Sequence, residues 1–149
     1  MNWVTRARPK TDGIACSWLI RNFIDPVAEI LYVPTDQVRA VAVRECARLF
    51  DAPSAELTRQ GDKCTFEVLI DRFQLDGDPA LARLAGIVHA AEFTADLETQ
   101  PLAPGLLAIG ESGLDVEADD QWLVERSMFV YDALYVWCQR HADLVGPAN

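Results

Sequence analysis

The spacing of hydrophobic and polar residues divides this chain into short strands followed by longer helices. Trp3, Val4 and Thr5 are strand formers, and Pro9 stops any ladder they begin. From Ile14 to Ile24 nearly every position is apolar, and Ser17, Arg21 and Asn22 leave only a narrow polar strip. That pattern predicts a buried helix, with Thr11 or Asp12 as its cap. Asp25-Pro26 ends it, because the residue before proline is pushed out of the helical region. Glu29-Ile30-Leu31-Tyr32-Val33 is a short apolar run suited to a central strand. Thr35-Asp36 is expected to cap a helix over Asp36 to Cys46, with Val38, Val41 and Ala42 inward and Arg39 and Arg44 outward. A third strand follows at residues 48–50.

Beyond this point the pattern is helical. Pro53 to Lys63 reads as a polar loop around Gly61, and Thr65 to Gln74 as an amphipathic helix carrying Phe66, Leu69, Ile70 and Phe73. Asp78-Pro79, a cap followed by proline at the first helical position, opens a helix from Ala80 to about Glu92. Phe93 to Pro104 reads as loop and Gly105 to Ser112 as a short helix. A long aromatic helix runs from Asp119 to about His141, and a loose tail begins at Gly146-Pro147. The expected fold class is therefore α/β, a small three-stranded, largely parallel sheet with right-handed crossovers and a mostly helical remainder. With 149 residues, half of them hydrophobic, the chain is expected to form one domain spanning 1–149.

Charge narrows the function classes. A formal charge of −10 repels polyphosphate and argues against nucleic-acid binding by the chain alone. No apolar run approaches membrane-spanning length and no signal-peptide pattern is present, so the expected location is the cytoplasm. Against this acidic background Arg6, Arg8 and Lys10 gather three positive charges in the loop before the first helix, whose free N–H groups point the same way. Arg6, Lys10 and Arg21 are the candidate ligands for a small anion, with solvated surface as the plain alternative. No glycine-rich phosphate cradle is present. Cys16, Cys46, Cys64 and Cys138 are scattered without a Cys-x-x-Cys pair. Cys16 lies near a helix start, where a thiolate is favoured, but its apolar neighbours suit a core thiol.

His89-x-x-Glu92 places an imidazole and a carboxylate on one helical face, a spacing at which both reach one divalent ion. Glu67 and Asp51 are the candidate partners, Asp51 because ligands of open parallel sheets bind beyond the carboxyl ends of the strands. The plain alternative is a satisfied helix histidine and surface acids. Asp12 and Cys16 are supporting residues of this region. Asp132, an acid inside an aromatic helix, is expected to orient Arg6 or Arg21. His141, between Arg140 and Asp143, reads as solvated. Arg6, Asp12, Asp51, Glu67, His89 and Glu92 are expected to converge on one pocket.

Trp3-x-Thr5-Arg6, Asp12-x-Ile14-Ala15-Cys16-x-Trp18-Leu19-Ile20-Arg21 and Phe23-Ile24-Asp25 resemble the C-terminal domain of the chromate-resistance regulator ChrB, also labelled chromate resistance exported protein. The likeness continues through Tyr32-Val33-Pro34, Phe50-Asp51, Gly61, Cys64-Thr65-Phe66-Glu67, Ile87-Val88-His89 and Tyr131-Asp132-Ala133-Leu134-Tyr135. Members commonly carry Arg where this chain has Gly13, His where it has Arg59 and Asp where it has Glu92. The resemblance implies the sensing half of a regulator, without the DNA-binding half.

Two functions follow as expectations. One is an oxyanion-responsive domain that takes chromate or a related tetrahedral anion, acting alone, as a homodimer, or with a separately encoded regulator or transporter. The other is a small enzyme with a divalent metal ion at Asp51, Glu67, His89 and Glu92, acting on an anionic substrate. A rhodanese-type sulfurtransferase is a weaker third reading, because Cys16 does not head a cradling loop.

Overall fold

The computed structural model describes residues 1–141. Its sheet is built around β1 (Asn2–Arg6), which pairs in parallel with β2 (Glu29–Val33) on one side and β3 (Arg48–Leu49) on the other. The register sets Trp3 against Ile30 and Arg48, and Val4 against Leu31 and Leu49. Trp3, Val4 and Thr5 are all buried, as expected where a parallel strand is covered on both faces. The fold class expected from the sequence is the one observed. The order of strands is not: β2 lies at an edge instead of the centre, and of its five residues only Ile30 is buried. An apolar run records covered faces, and an edge strand can have those too. The side chain of Gln121 reaches this edge, its Nε2 donating to the Ile30 carbonyl at 2.7 Å.

The first helix, α1 (Thr11–Leu19), is buried over its whole length and loosens into a π-helical turn at Ile20–Ile24. Lys10 occupies its N-cap position, so Thr11 and Asp12 lie inside the helix and do not cap it. Ser17, read as part of a polar strip, is buried with its hydroxyl 2.9 Å from the Gly13 carbonyl and 2.8 Å from the Tyr32 hydroxyl. A 3-10 turn at Thr35–Gln37 leads into α2 (Val38–Arg44), and neither Thr35 nor Asp36 supplies a side-chain cap.

Four further helices pack around α1: α3 (Thr65–Arg72), α4 (Pro79–Glu92), α5 (Ala103–Val116) and α6 (Asp120–Arg140). Asp78 caps α4 as expected, accepting from Ala80 and Leu81 N–H. Several boundaries differ from the expectation: α2, expected over Asp36 to Cys46, is shorter at both ends, β3 stops at Leu49 and α3 at Arg72. Thr94–Thr99 forms a 3-10 segment where loop was expected, and α5 is longer at both ends. The close approach of α5 to α1 requires Gly110, since a Cβ there would fall 2.2 Å from Thr11 Oγ1.

Trp18, Leu19, Phe66, Leu69, Leu84 and Val88 fill the core between these helices. Asp132 orients neither Arg6 nor Arg21. Its Oδ1 accepts the Trp18 indole N–H at 2.8 Å, because a buried indole needs an acceptor and α6 presents one. His141 stacks on Trp137 with ring centroids 4.2 Å apart, so it is not simply solvated. The tail expected at Gly146-Pro147 lies outside the described residues. No described helix is long and apolar enough to cross a membrane.

Candidate functional site

The carboxyl end of β1 and the start of α1 open onto a cleft of about 280 Å³. Arg6, Arg8, Lys10, Asp12, Asp51 and Glu92 all line it. Parallel pairing explains why: β1 and β3 end at the same side of the sheet, so the loop after Arg6 meets Asp51 just beyond β3.

Asp12 lies at the back of the cleft and holds two helices together. Its Oδ2 accepts the Thr65 N–H at 2.8 Å and its Oδ1 accepts the Phe66 N–H at 3.0 Å, the first two amides of α3. Cys64 and Glu67 form a capping box at the start of α3, the Cys64 side chain accepting the Glu67 N–H and the Glu67 carboxylate the Cys64 N–H, and Asp12 takes the two amides between them that the box leaves open. The backbone N–H of Asp12 donates to Glu92 Oε2 at 3.3 Å. Burial, then the nearby charges of Asp51 and Glu92, push the Asp12 carboxyl up to about 7, against the pull of the two α3 amides.

The other two carboxylates each meet an arginine. Asp51 stands at φ +49°, a left-handed conformation that Asp tolerates. Its Oδ1 accepts the Thr65 hydroxyl at 2.7 Å, and Arg6 binds both its carbonyl (2.7 Å) and its Oδ2 (3.4 Å). Glu92 Oε1 accepts from Arg59 at 3.0 Å while the Arg59 guanidinium lies over the Phe93 ring. Burial raises both carboxyls, and Arg6 and Arg59 oppose the rise.

The cations divide in the same way. Arg8, at φ +57°, turns away from the cleft centre and binds the end of α5 and the start of α6 through Leu114, Glu117 and Ala118 carbonyls and Asp120. Lys10 is exposed on the cleft and, among the described residues, forms no ion pair. Arg21 lies elsewhere, paired with Glu125 at 2.6 Å. Of the three candidate anion ligands, the structure brings Arg6 and Lys10 together and leaves Arg21 apart.

The four candidate metal ligands also fall into two groups. Asp51 and Glu92 face the cleft. Glu67 and His89 bind each other behind it, His89 Nδ1 lying 2.7 Å from Glu67 Oε1 and His89 Nε2 3.0 Å from Asp96 Oδ2. Glu67 Oε1 also accepts the Cys64 N–H at 2.9 Å. Among the described residues no group of three or more His, Cys, Asp or Glu side chains is arranged to hold a metal ion.

Burial opposes the charge on His89, but hydrogen bonds to Glu67 and Asp96 outweigh it and raise the imidazolium above its ordinary value. A raised histidine stabilises the fold at low pH, fully so below its unfolded value of about 6.5, and the contribution is lost as pH rises through the folded value. An NMR titration of the imidazole carbons should therefore give His89 a midpoint above that of an unfolded reference. In Glu67→Gln the midpoint should fall, and an unchanged midpoint would remove Glu67 as the cause.

Arg59, Thr65 and Asp96 were not singled out as site residues by sequence reasoning. Thr65 stood inside the Cys64-Thr65-Phe66-Glu67 block, the one signal that could have found it. Cys16 is fully buried behind Asp12, its Sγ 3.5 Å from Asp12 Oδ1, and burial pushes its thiol well up, so it is held as a thiol. Gly13 sits directly on the cleft, where a Cβ would lie 3.0 Å from Pro9 and 3.4 Å from Asp51 Oδ2. Gly13 thus borders Asp51, and Arg59 pairs with Glu92.

The model of the family described as ChrB, C-terminal domain matches residues 3–138. Protein ChrB of Cupriavidus metallidurans is 36% identical over 138 residues, covering 89% of this chain and 39% of that protein. The chain thus spans well under half the length of this curated relative. No solved structure matches.

Proposed function

Because the chain belongs to the ChrB C-terminal domain family, we propose that it is an oxyanion-responsive domain serving chromate resistance, with the cleft at Arg6 and Lys10 as its binding site. The observation that carries this reading is Lys10. It is a cation on a concave surface, with no ion pair among the described residues, beside Arg6 and at the opening of α1, where helix polarity favours an anion. The carboxylates beside it are occupied: Arg6 answers Asp51, Arg59 answers Glu92 and the α3 amides answer Asp12. Asp12, raised to about 7, adds a neutral carboxyl at mildly acid pH, which lowers the repulsion an anion meets. Chromate or another small tetrahedral anion is of a size for the cleft. The formal charge of −10 disfavours nucleic acid as a direct partner of this domain, so a response would pass through a further domain or through a partner such as a regulator or transporter.

Chromate at about 100 times its dissociation constant should stabilise the protein by about 2.7 kcal/mol. Thermal unfolding at constant ionic strength reads this as a rise in Tm. Lys10→Gln should abolish the rise while leaving the unliganded Tm unchanged. A full rise in Lys10→Gln would move the site away from this cleft.

The second reading, a small enzyme with a divalent ion, is favoured by Asp51 and Glu92 facing one cleft. It requires Glu67 and His89 to leave the bonds they make with each other and with Asp96. Elemental analysis of freshly purified protein separates the two readings, a stoichiometric metal favouring the enzyme.

A further inference from the structure

The outer face of α6 carries an apolar stripe that the described residues leave uncovered. Trp122, Phe129 and Val136 are 62%, 76% and 41% exposed. They recur every seven residues, which places them on one line along the helix, about 10 Å apart. The opposite face of α6, with Leu123, Val124, Tyr131 and Cys138, is buried in the core, so the stripe is not a misplaced core face. Two exposed aromatic side chains and a valine aligned on one helix face form an apolar strip of the kind that marks an interaction site.

We propose that this stripe joins two copies of the chain, with their α6 helices side by side and parallel about a two-fold axis. The flanking charges choose the occupant and the direction. Glu125 and Arg126 lie at nearly the same height on opposite sides of the stripe, because successive residues are turned by about 100°. In a parallel pair, opposite sides meet, so Glu125 stands against the partner's Arg126 and Arg126 against the partner's Glu125. Antiparallel pairing centred on Phe129 brings like sides together and sets Glu125 beside the partner's Asp132, a like-charge contact. Within one copy Glu125 already pairs with Arg21 and Arg126 with Glu117. The parallel arrangement therefore links four charges of alternating sign on each side of the seam, and self-complementary contact of this kind defines a two-fold interface.

Sedimentation velocity of the 149-residue chain across a range of concentrations tests the proposal. A reversible dimer is expected. Phe129→Asp, which changes only an exposed residue, should weaken it about thirtyfold or more, as for a central interface aromatic. Circular dichroism confirms that the variant is folded. Arg126→Glu and Glu125→Arg should each weaken self-association, and mixing the two variants should restore a dimer, since the mixed pair regains both opposite-charge contacts. A monomer at all concentrations, or a dimer undisturbed by Phe129→Asp, would overturn the proposed face. Tighter association of Glu125→Arg alone would establish antiparallel pairing and overturn the arrangement.

Discussion

Replacing Asp12 by alanine is expected to destabilise the fold by about 3 kcal/mol near pH 5, and by clearly less above pH 7. The loss comes from α3. Its first two amides, on Thr65 and Phe66, donate only to Asp12 among the contacts seen, and both lie in the core. Leaving a buried N–H unsatisfied costs about 1–3 kcal/mol, and two are left here. The pH dependence runs opposite to that of an ordinary salt-bridged carboxylate. The folded protein holds the Asp12 proton up to about pH 7, whereas the unfolded chain releases it near the ordinary value of 3.8. Between those values the folded state binds more protons, so wild-type stability falls as pH rises, and above about 7 the full cost of the buried charge is present. Alanine carries no such cost, so its disadvantage shrinks with pH. Asp51 and Glu92 are also raised, and removing Asp12 takes away its repulsion of their charges, which shrinks the alanine penalty at higher pH in the same direction. Urea unfolding at pH 5, 7 and 8 checks this. A penalty that grows from pH 5 to pH 8 would show that Asp12 acts chiefly as an ionised partner.

Arg8→Ala should cost about 2–3 kcal/mol, seen as a fall in Tm of about 5–10 °C for a chain of this size. Arg8 sits in the left-handed region, held there by its own N–H donating to Asp120 Oδ2 at 2.9 Å. Its guanidinium spans the junction of α5 and α6, donating to the Leu114 carbonyl at 2.6 Å, Glu117 at 3.0 Å and Ala118 at 2.8 Å. These carbonyls belong to the end of α5 and the turn after it, where a helix has no partners of its own and where a cation is favoured. The Asp120 ion pair adds little, because the Arg8 side chain is over a third exposed and water screens it. Most of the loss is therefore in the three carbonyl contacts. Arg8→Lys should recover only a small part, since an ammonium cannot span acceptors set out for a planar fork. Full stability in Arg8→Lys would mean that charge alone matters. Lys10→Gln, two residues away but exposed, should stay within about 0.5 kcal/mol of wild type.

The sheet was readable from the sequence because Trp3-Val4-Thr5 and Glu29 to Val33 are short apolar runs separated by one buried helix and a proline stop. The position of β2 at the edge was not, since apolar residues register covered faces and say nothing of how many neighbours a strand has. Asp78 announced its capping role through the proline after it. Asp12 did not announce its own, because it caps a helix that starts 53 residues later, and only the packing of α1 on α3 brings them together. The same limit applies to the site. Parallel pairing put Arg6, Asp12 and Asp51 at one end of the sheet, and the helical spacing of His89 and Glu92 put them on one face of α4. Three residues along a helix still point in slightly different directions, and here that difference sends Glu92 to the cleft and His89 to Glu67 and Asp96. Arg21 looked like a third cation, but the helix turn that carries it faces Glu125. Arg59 reaches Glu92 from a loop whose path no periodicity records.

The most direct test of the binding site is an amide NMR titration of isotopically labelled protein with chromate, and with sulfate as a second tetrahedral dianion, at constant ionic strength. Saturable shifts are expected, confined to residues around Arg6, Lys10, Asp12 and Gly13, with a smaller effect at Asp51 and none at Arg21 or Glu125. These shifts should vanish in Lys10→Gln. Saturable shifts centred on Arg21 and Glu125, or no saturable shift anywhere with either anion, would contradict this placement of the site.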